Sequence, residues 1–211
     1  MKKFVLYLLY PLLIRNVLRL ILGVHYTNRE VLQNDTQCII VANHNSHLDT
    51  VALLAAMPLA RTPRTKPVAA GDYFGKTGFK RRLTEFFVNA LLIARSRPKE
   101  GDTFPDPIAQ MVGALDQGYS LILFPEGTRG EAGKMQKMKK GIGLVLQERP
   151  EIPFVPVYLQ GMGRLLPKGE SVLVPFDNFV RFGQPVYCAG MNADEIVVRV
   201  EQEILALSGE Q

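Results

Sequence analysis

Residues 37–49 read Gln37-Cys38-Ile39-Ile40-Val41-Ala42-Asn43-His44-Asn45-Ser46-His47-Leu48-Asp49. An almost wholly apolar run passes into a polar, ionisable cluster and then into a helical apolar pattern that reaches Met57. A strand with one wet face alternates, whereas a continuous apolar run of this length marks a strand covered on both faces. The stretch therefore predicts strand, loop and helix, with the polar cluster at the strand's C-terminal end. The same order recurs along the chain. Further strands are predicted at 67–70, 90–94, 120–124 and 153–159, beside the first at 37–42. Helices are predicted at 46–57, 77–87, 105–117 and 135–147. A late hairpin, 171–175 with 178–182, and a terminal helix from about 192 to 207 complete the set. Alternation of this kind predicts an α/β fold: a single layered domain with a largely parallel central sheet flanked by helices. Such sheets place ligand sites beyond the C-terminal ends of their strands.

The composition agrees. A chain of 211 residues has room for one sizeable core. With 47% hydrophobic and 21% charged residues, it is neither a disordered chain, a collagen-like repeat nor a polytopic membrane protein. Two cysteines, Cys38 and Cys188, are too few for a disulfide scaffold or a four-cysteine zinc site. They read as buried, reduced thiols in a reducing compartment. A net charge of +5 favours anionic partners: phosphate, nucleic acid or a membrane surface. No helix-turn-helix pattern or aromatic–basic RNA signature is present, so nucleic acid is not expected.

Residues 1–24 are apolar apart from Lys2, Lys3, Arg15, Asn16 and Arg19, and carry Pro11. No small-residue cleavage site follows at His25-Tyr26-Thr27, which argues against a signal peptide. A spanning helix needs about 20 apolar residues. Two mid-helix arginines at roughly 2.5–3.5 kcal/mol each nearly cancel an apolar gain of about 0.3–0.6 kcal/mol per residue. Arg15 and Arg19, four residues apart, share one helical stripe. That pattern predicts an interfacial helix, broken or kinked at Pro11, with its arginines on anionic lipid. The competing reading packs the segment on the protein's own core. The expected organisation is an amphipathic membrane-anchoring helical segment at 1–28 and an α/β domain at 29–211. Its expected place is the cytoplasmic face of the cell membrane.

At the first strand end, Ser46 and Asp49 form a capping pair that starts a helix at Ser46. The Asp49 carboxylate then reaches back to a ring nitrogen of His44 in the preceding loop. A carboxylate that fixes the imidazole tautomer leaves the other nitrogen as a general base. Two other readings compete. Asp49 is then only a helix cap, or His44, His47 and Asp49 ligate zinc or iron. At a second strand end lies Phe124-Pro125-Glu126-Gly127-Thr128-Arg129-Gly130. Pro and Gly predict a tight turn with exposed amides. Thr128 and Arg129 suit a phosphate, the arginine as a two-pronged donor. Glu126 suits a substrate hydroxyl or an arginine. The spacing of a Walker loop is absent. Lys134, Lys137, Lys139 and Lys140 lead into Gly141 as a solvated helix face or a lipid contact.

With both loops read, the chain resembles the glycerolipid (lysophospholipid) acyltransferase family, that of the 1-acyl-sn-glycerol-3-phosphate acyltransferases. Four blocks match in the family's order. They are Asn43-His44-x-Ser46-x-x-Asp49, Leu92-Ile93-Ala94-Arg95, Phe124-Pro125-Glu126-Gly127-Thr128-Arg129 and Val155-Pro156-Val157-Tyr158. The first and third together are specific, and the second and fourth are weak alone. Ala94 departs from the family, where a polar residue commonly precedes the arginine, and nothing after Leu159 adds motif evidence. The resemblance implies transfer of a fatty acyl group from acyl-CoA or acyl carrier protein to the free hydroxyl of a lysophospholipid. The acceptor implied first is 1-acylglycerol-3-phosphate, giving phosphatidic acid. His44 and Asp49 would be catalytic, and Arg95, Glu126, Gly127, Thr128 and Arg129 would bind substrate. No cofactor or metal is expected. The partners it implies are a phospholipid membrane, the lysophospholipid acceptor and the acyl thioester donor. The alternative is a thioesterase-like or metal-assisted lipid hydrolase using the same pair.

Overall fold

Ile39 and Val41 point to one side of a sheet and Ile40 and Ala42 to the other, and all four are fully buried. Helices on both faces cover the strand, which is why its sequence does not alternate. A computed structural model of the protein describes residues 8–34, 36–46, 48–71, 89–94, 105–130, 134–162 and 178–209. The strands are β1 (Val24–Thr27), β2 (Ile39–Ala42), β3 (Thr65–Ala70), β4 (Leu91–Ile93), β5 (Ser120–Leu123), β6 (Phe154–Gln160) and β7 (Asn178–Phe182). The helices are α1 (Arg15–Leu20), α2 (Leu48–Ala56), α3 (Pro107–Asp116), α4 (Gly141–Glu148) and α5 (Ala193–Ala206).

The strand order is β1-β7-β6-β2-β5-β3-β4. β2 runs parallel to β5 and β6, and β3 parallel to β5 and β4. Only β7, antiparallel to β6, and its parallel neighbour β1 run the other way among the described strands. β2 to β6 therefore all end at one edge. α1 and α2 pack on the Ile40 face, and α3, α4 and α5 on the Ile39 face.

Several boundaries differ from the expectation. α2 begins at Leu48 rather than Ser46, because Ser46 caps: its Oγ accepts from the Leu48 amide at 3.2 Å. The helix expected at 135–147 begins only at Gly141. The preceding residues 134–139 are not helical, and the Gln136 and Lys139 amides donate instead to Glu126 and to the Pro125 carbonyl. Pro11 does not break the first helix. It sits in a π-helical turn, Leu9–Ile14, that leads directly into α1, with the Arg15 amide reaching back to the Tyr10 carbonyl. The wider turn accommodates a residue that has no amide to donate. β7 pairs with β6 and β1. The helix expected at 77–87 and the strand at 171–175 lie outside the described residues. Cys38 and Cys188 are buried and free.

The N-terminal segment has one side on the protein's own core and one side exposed. Tyr10, Leu18 and Leu22 are buried in the same core as Ile40. Leu12, Leu13, Leu20 and Ile21 are exposed. The boundary expected at residue 28 follows a strand, β1, already hydrogen-bonded into the sheet. Among the described residues no helix is long and apolar enough to cross a membrane.

Candidate active site

β2 and β5 are neighbours in parallel register, Val41 opposite Leu123, an offset of 82 residues. The loops leaving them keep that offset. The backbone amide of His44 donates to Glu126 Oε1 at 2.9 Å, again 82 residues apart. Glu126 Oε2 accepts from the Gln136 amide at 3.1 Å, and the Gly130 amide donates to the His44 carbonyl at 2.9 Å. The two polar loops are thus laced together by backbone groups, with Glu126 buried between them. Glu126 was expected to meet a substrate hydroxyl or an arginine; its described partners are these amides. Burial pushes its carboxyl above the ordinary carboxylate range, while the His44 and Gln136 amides oppose that shift.

His44 Nδ1 lies 2.9 Å from Asp49 Oδ2. The same oxygen accepts from the Asn45 amide at 2.7 Å and the Ser46 amide at 2.8 Å. Asp49 is completely buried, and His44 retains 19% side-chain exposure. The imidazole is also stacked on Phe124, with ring centroids 4.1 Å apart and an interplanar angle of 20°. One contact comes from α2 and the other from the end of β5, so both elements set the ring's position. Asn43 acts as an extra rung of the sheet. Its Nδ2 donates to the Leu159 carbonyl at 2.9 Å, and its Oδ1 accepts from the Leu159 amide at 2.7 Å.

The second loop opens with a turn closed by the Gly127 amide on the Phe124 carbonyl at 3.0 Å. Pro125 and Gly127 occupy the positions where such turns favour them. Gly127 has φ +73°, and a Cβ there would lie 2.5 Å from Lys139 Nζ. The lysine thus folds over the glycine. Thr128 Oγ1 reaches Gln136 Oε1 at 3.5 Å.

His44, Gly127, Thr128, Arg129 and Lys139 all line a cavity of about 680 Å³. Its walls are mainly apolar, with Val51, Val68, Ile93, Met111, Leu123 and Leu144 among them. Arg95 and His47 lie outside the described residues. Ala94, which precedes Arg95, lines the cavity. Among the described residues no three His, Cys, Asp or Glu are grouped to hold a metal. Sequence reasoning missed the bracing by Glu126 and the closeness of Lys139, because both depend on how distant loops meet. The Pro125–Gly127 turn was the available signal that the chain doubles back here.

Fold and site define an α/β domain with a histidine–carboxylate pair beside an apolar cavity. The acyltransferase family model matches residues 23–160, and the chain belongs to that family. The chloroplastic 1-acyl-sn-glycerol-3-phosphate acyltransferase BAT2 of Brassica napus is 28% identical over 163 residues, 76% of this chain and 43% of that protein. Human 1-acyl-sn-glycerol-3-phosphate acyltransferase alpha is 26% identical over 160 residues, 75% of this chain and 53% of that one. The chain spans about half the length of these relatives. The fold is shared with the crystal structure of the 1-acyl-sn-glycerophosphate (LPA) acyltransferase PlsC from Thermotoga maritima. The TM-score is 0.75 at 22% identity, over 98% of this chain and 79% of that chain.

Proposed function

We propose that the protein transfers a fatty acyl group from an acyl thioester to the free hydroxyl of a lysophospholipid, foremost 1-acylglycerol-3-phosphate. The observation that carries this reading is the 2.9 Å pairing of a fully buried Asp49 with His44, which lines a mainly apolar cavity. Two backbone amides already donate to Asp49 Oδ2. That oxygen is therefore an acceptor, and Nδ1 of His44 carries the proton. The lone pair then resides on Nε2, the arrangement of a general base.

As the acceptor's hydroxyl oxygen attacks the thioester carbonyl, its proton passes to Nε2, and Asp49 balances the imidazolium. Collapse of the tetrahedral intermediate breaks the carbon–sulfur bond, and the thiolate leaves with the proton from Nε2. No acyl-enzyme is needed, because a thiolate leaves readily. Amides of the two loops are the proposed donors to the oxyanion. Arg129 and Thr128, with Lys139 beside them, hold the acceptor's phosphate, and Arg95 adds to this clamp. Glu126 positions the His44 loop. The apolar wall takes an acyl chain, within the usual 300–1,000 Å³ of ligand pockets. The names of the relatives support the acceptor class. The exposed leucines of the first helical segment support work at a membrane surface.

The test offers acyl-CoA and acyl carrier protein thioesters with and without lysophosphatidate, in detergent or liposomes. Acceptor-dependent thiol release with phosphatidate formed is the expected result. Thiol release that ignores the acceptor means a hydrolase. His44→Ala should lower turnover by about 10²-fold or more, and near-normal turnover in a folded variant ends the mechanism. Arg129→Ala should raise the acceptor's KM more than the donor's. A change in the donor term alone refutes the phosphate assignment.

A further inference from the structure

A second cavity, of about 350 Å³, is lined by Arg15, Arg19, His25, Tyr26 and Arg29. None of these residues lines the larger cavity. Two of them are fixed to the body of the protein. The Tyr26 hydroxyl donates to the Ala52 carbonyl at 3.2 Å, and Arg29 Nε donates to the Ala56 carbonyl, both on α2. Arg15 and Arg19 come from α1, one turn apart. Three guanidiniums and an imidazole thus line one small volume, and among the described residues no carboxylate lines it. Burial and the neighbouring Arg15 and Arg19 charges pull the Arg29 guanidinium below its ordinary range. Burial pushes the Tyr26 phenol up. Like charges held together at this cost are relieved by an anion, and guanidiniums match phosphate oxygens in forked geometry.

The surroundings identify the source of the phosphate. The helix that carries Arg15 and Arg19 also exposes Leu20 and Ile21, at 84% and 62%, and the preceding turn exposes Leu12 and Leu13. An apolar ridge beside a cationic pocket matches a phospholipid, with acyl chains along the ridge and headgroup phosphate in the pocket. We infer that Arg15, Arg19 and Arg29, with Tyr26 and His25, form a binding site for the phosphate of an anionic phospholipid headgroup, apart from the acyl-transfer cavity. This inference rests on the membrane-surface part of the proposed function and not on the chemistry at His44.

The test is flotation of the full chain with phosphatidylcholine vesicles, with and without phosphatidylglycerol. The wild type, Arg15→Gln/Arg19→Gln and a charge-matched control, Arg64→Gln/Arg199→Gln, are compared. The wild type should bind the phosphatidylglycerol vesicles more tightly. The α1 variant should lose that preference, weakening by roughly 30-fold at about 1 kcal/mol per basic residue and 1.4 kcal/mol per tenfold. It should keep its phosphatidylcholine binding and its acyl transfer on detergent-dispersed substrate, and the control should keep the preference. An equal fall in the control means diffuse charge and overturns the site. A wild type that binds both vesicles equally overturns the site but leaves the membrane reading. A wild type that binds neither overturns the membrane reading and this site with it. Thermal stabilisation by inorganic phosphate, lost in the α1 variant, without any vesicle preference assigns the pocket to free phosphate and overturns the lipid assignment.

Discussion

Asp49 performs two tasks with one oxygen. Oδ2 accepts the Asn45 and Ser46 amides that precede α2 and also meets His44 Nδ1. Reading it as a helix cap and reading it as the partner of an imidazole are thus compatible, since the cap is what holds the carboxylate still. Glu126 does comparable work between loops, and its two oxygens require two donors. Glu126→Gln replaces one acceptor by an NH₂ that faces a backbone N–H. The expected cost is about 1–3 kcal/mol of stability. As the His44 loop shifts, kcat should fall by roughly 10- to 100-fold with little change in the acceptor's KM. A dominant rise in KM makes Glu126 a substrate contact instead. The same variant tests its titration. In the unfolded chain Glu126 ionises near its ordinary value of about 4.3, while in the folded protein it keeps its proton to higher pH. Between those two values the folded state binds more protons, so stability falls as pH rises through the window and levels off above it. Urea unfolding across pH should show this decline in the wild type and lose its Glu126 share in the variant. Superimposable slopes contradict the raised carboxyl.

At the scale of elements, the site follows from strand adjacency. β2 and β5 lie side by side in parallel, so the loops leaving them meet without any long-range search by side chains. The opposite end of these strands is tied by Arg61, which is buried and lies 23 to 59 residues from its partners in sequence. Its guanidinium donates to the Leu32, Asn34 and Thr36 carbonyls, to Cys38 Sγ and to Ser120 Oγ. α4 carries Gly141, Ile142 and Leu144 into the cavity wall and packs on α5 through Gly143. A Cβ at Gly143 would fall inside van der Waals contact with the Ala193 carbonyl, a backbone atom that cannot swing away. Gly143→Ala should therefore destabilise by about 1–3 kcal/mol, although the exchange stabilises a free helix interior by roughly 1 kcal/mol. Urea midpoints measure this, and an unchanged or raised midpoint means that α4 and α5 can separate at no cost.

For the whole molecule, the first helical segment has an inner and an outer apolar face. Leu18 is 2% exposed and belongs to the main core, whereas Leu20, two residues on, is 84% exposed. Leu18→Asp should cost about 3 kcal/mol or more, because it buries a charge without a partner. Leu20→Asp should leave the melting temperature unchanged and weaken partition onto phosphatidylcholine vesicles. If Leu20→Asp binds as the wild type does, the outer face is no membrane contact.

The residues that read correctly in isolation did so because their physics is local. The continuous apolar run at 39–42 and the cap at Ser46 each act within a few positions. The nearness of Asp49 to His44 belongs with them, since one turn separates the two. Parallel strands were also legible, because burial on both faces erases alternation. Strand order was not, because no local preference says which strand lies beside which. Only the tertiary structure set β5 against β2, turned Glu126 inward onto amides from two other segments and kept residues 136–139 out of the helix. Partners so distant along the chain meet only after the whole sheet has formed around a shared core.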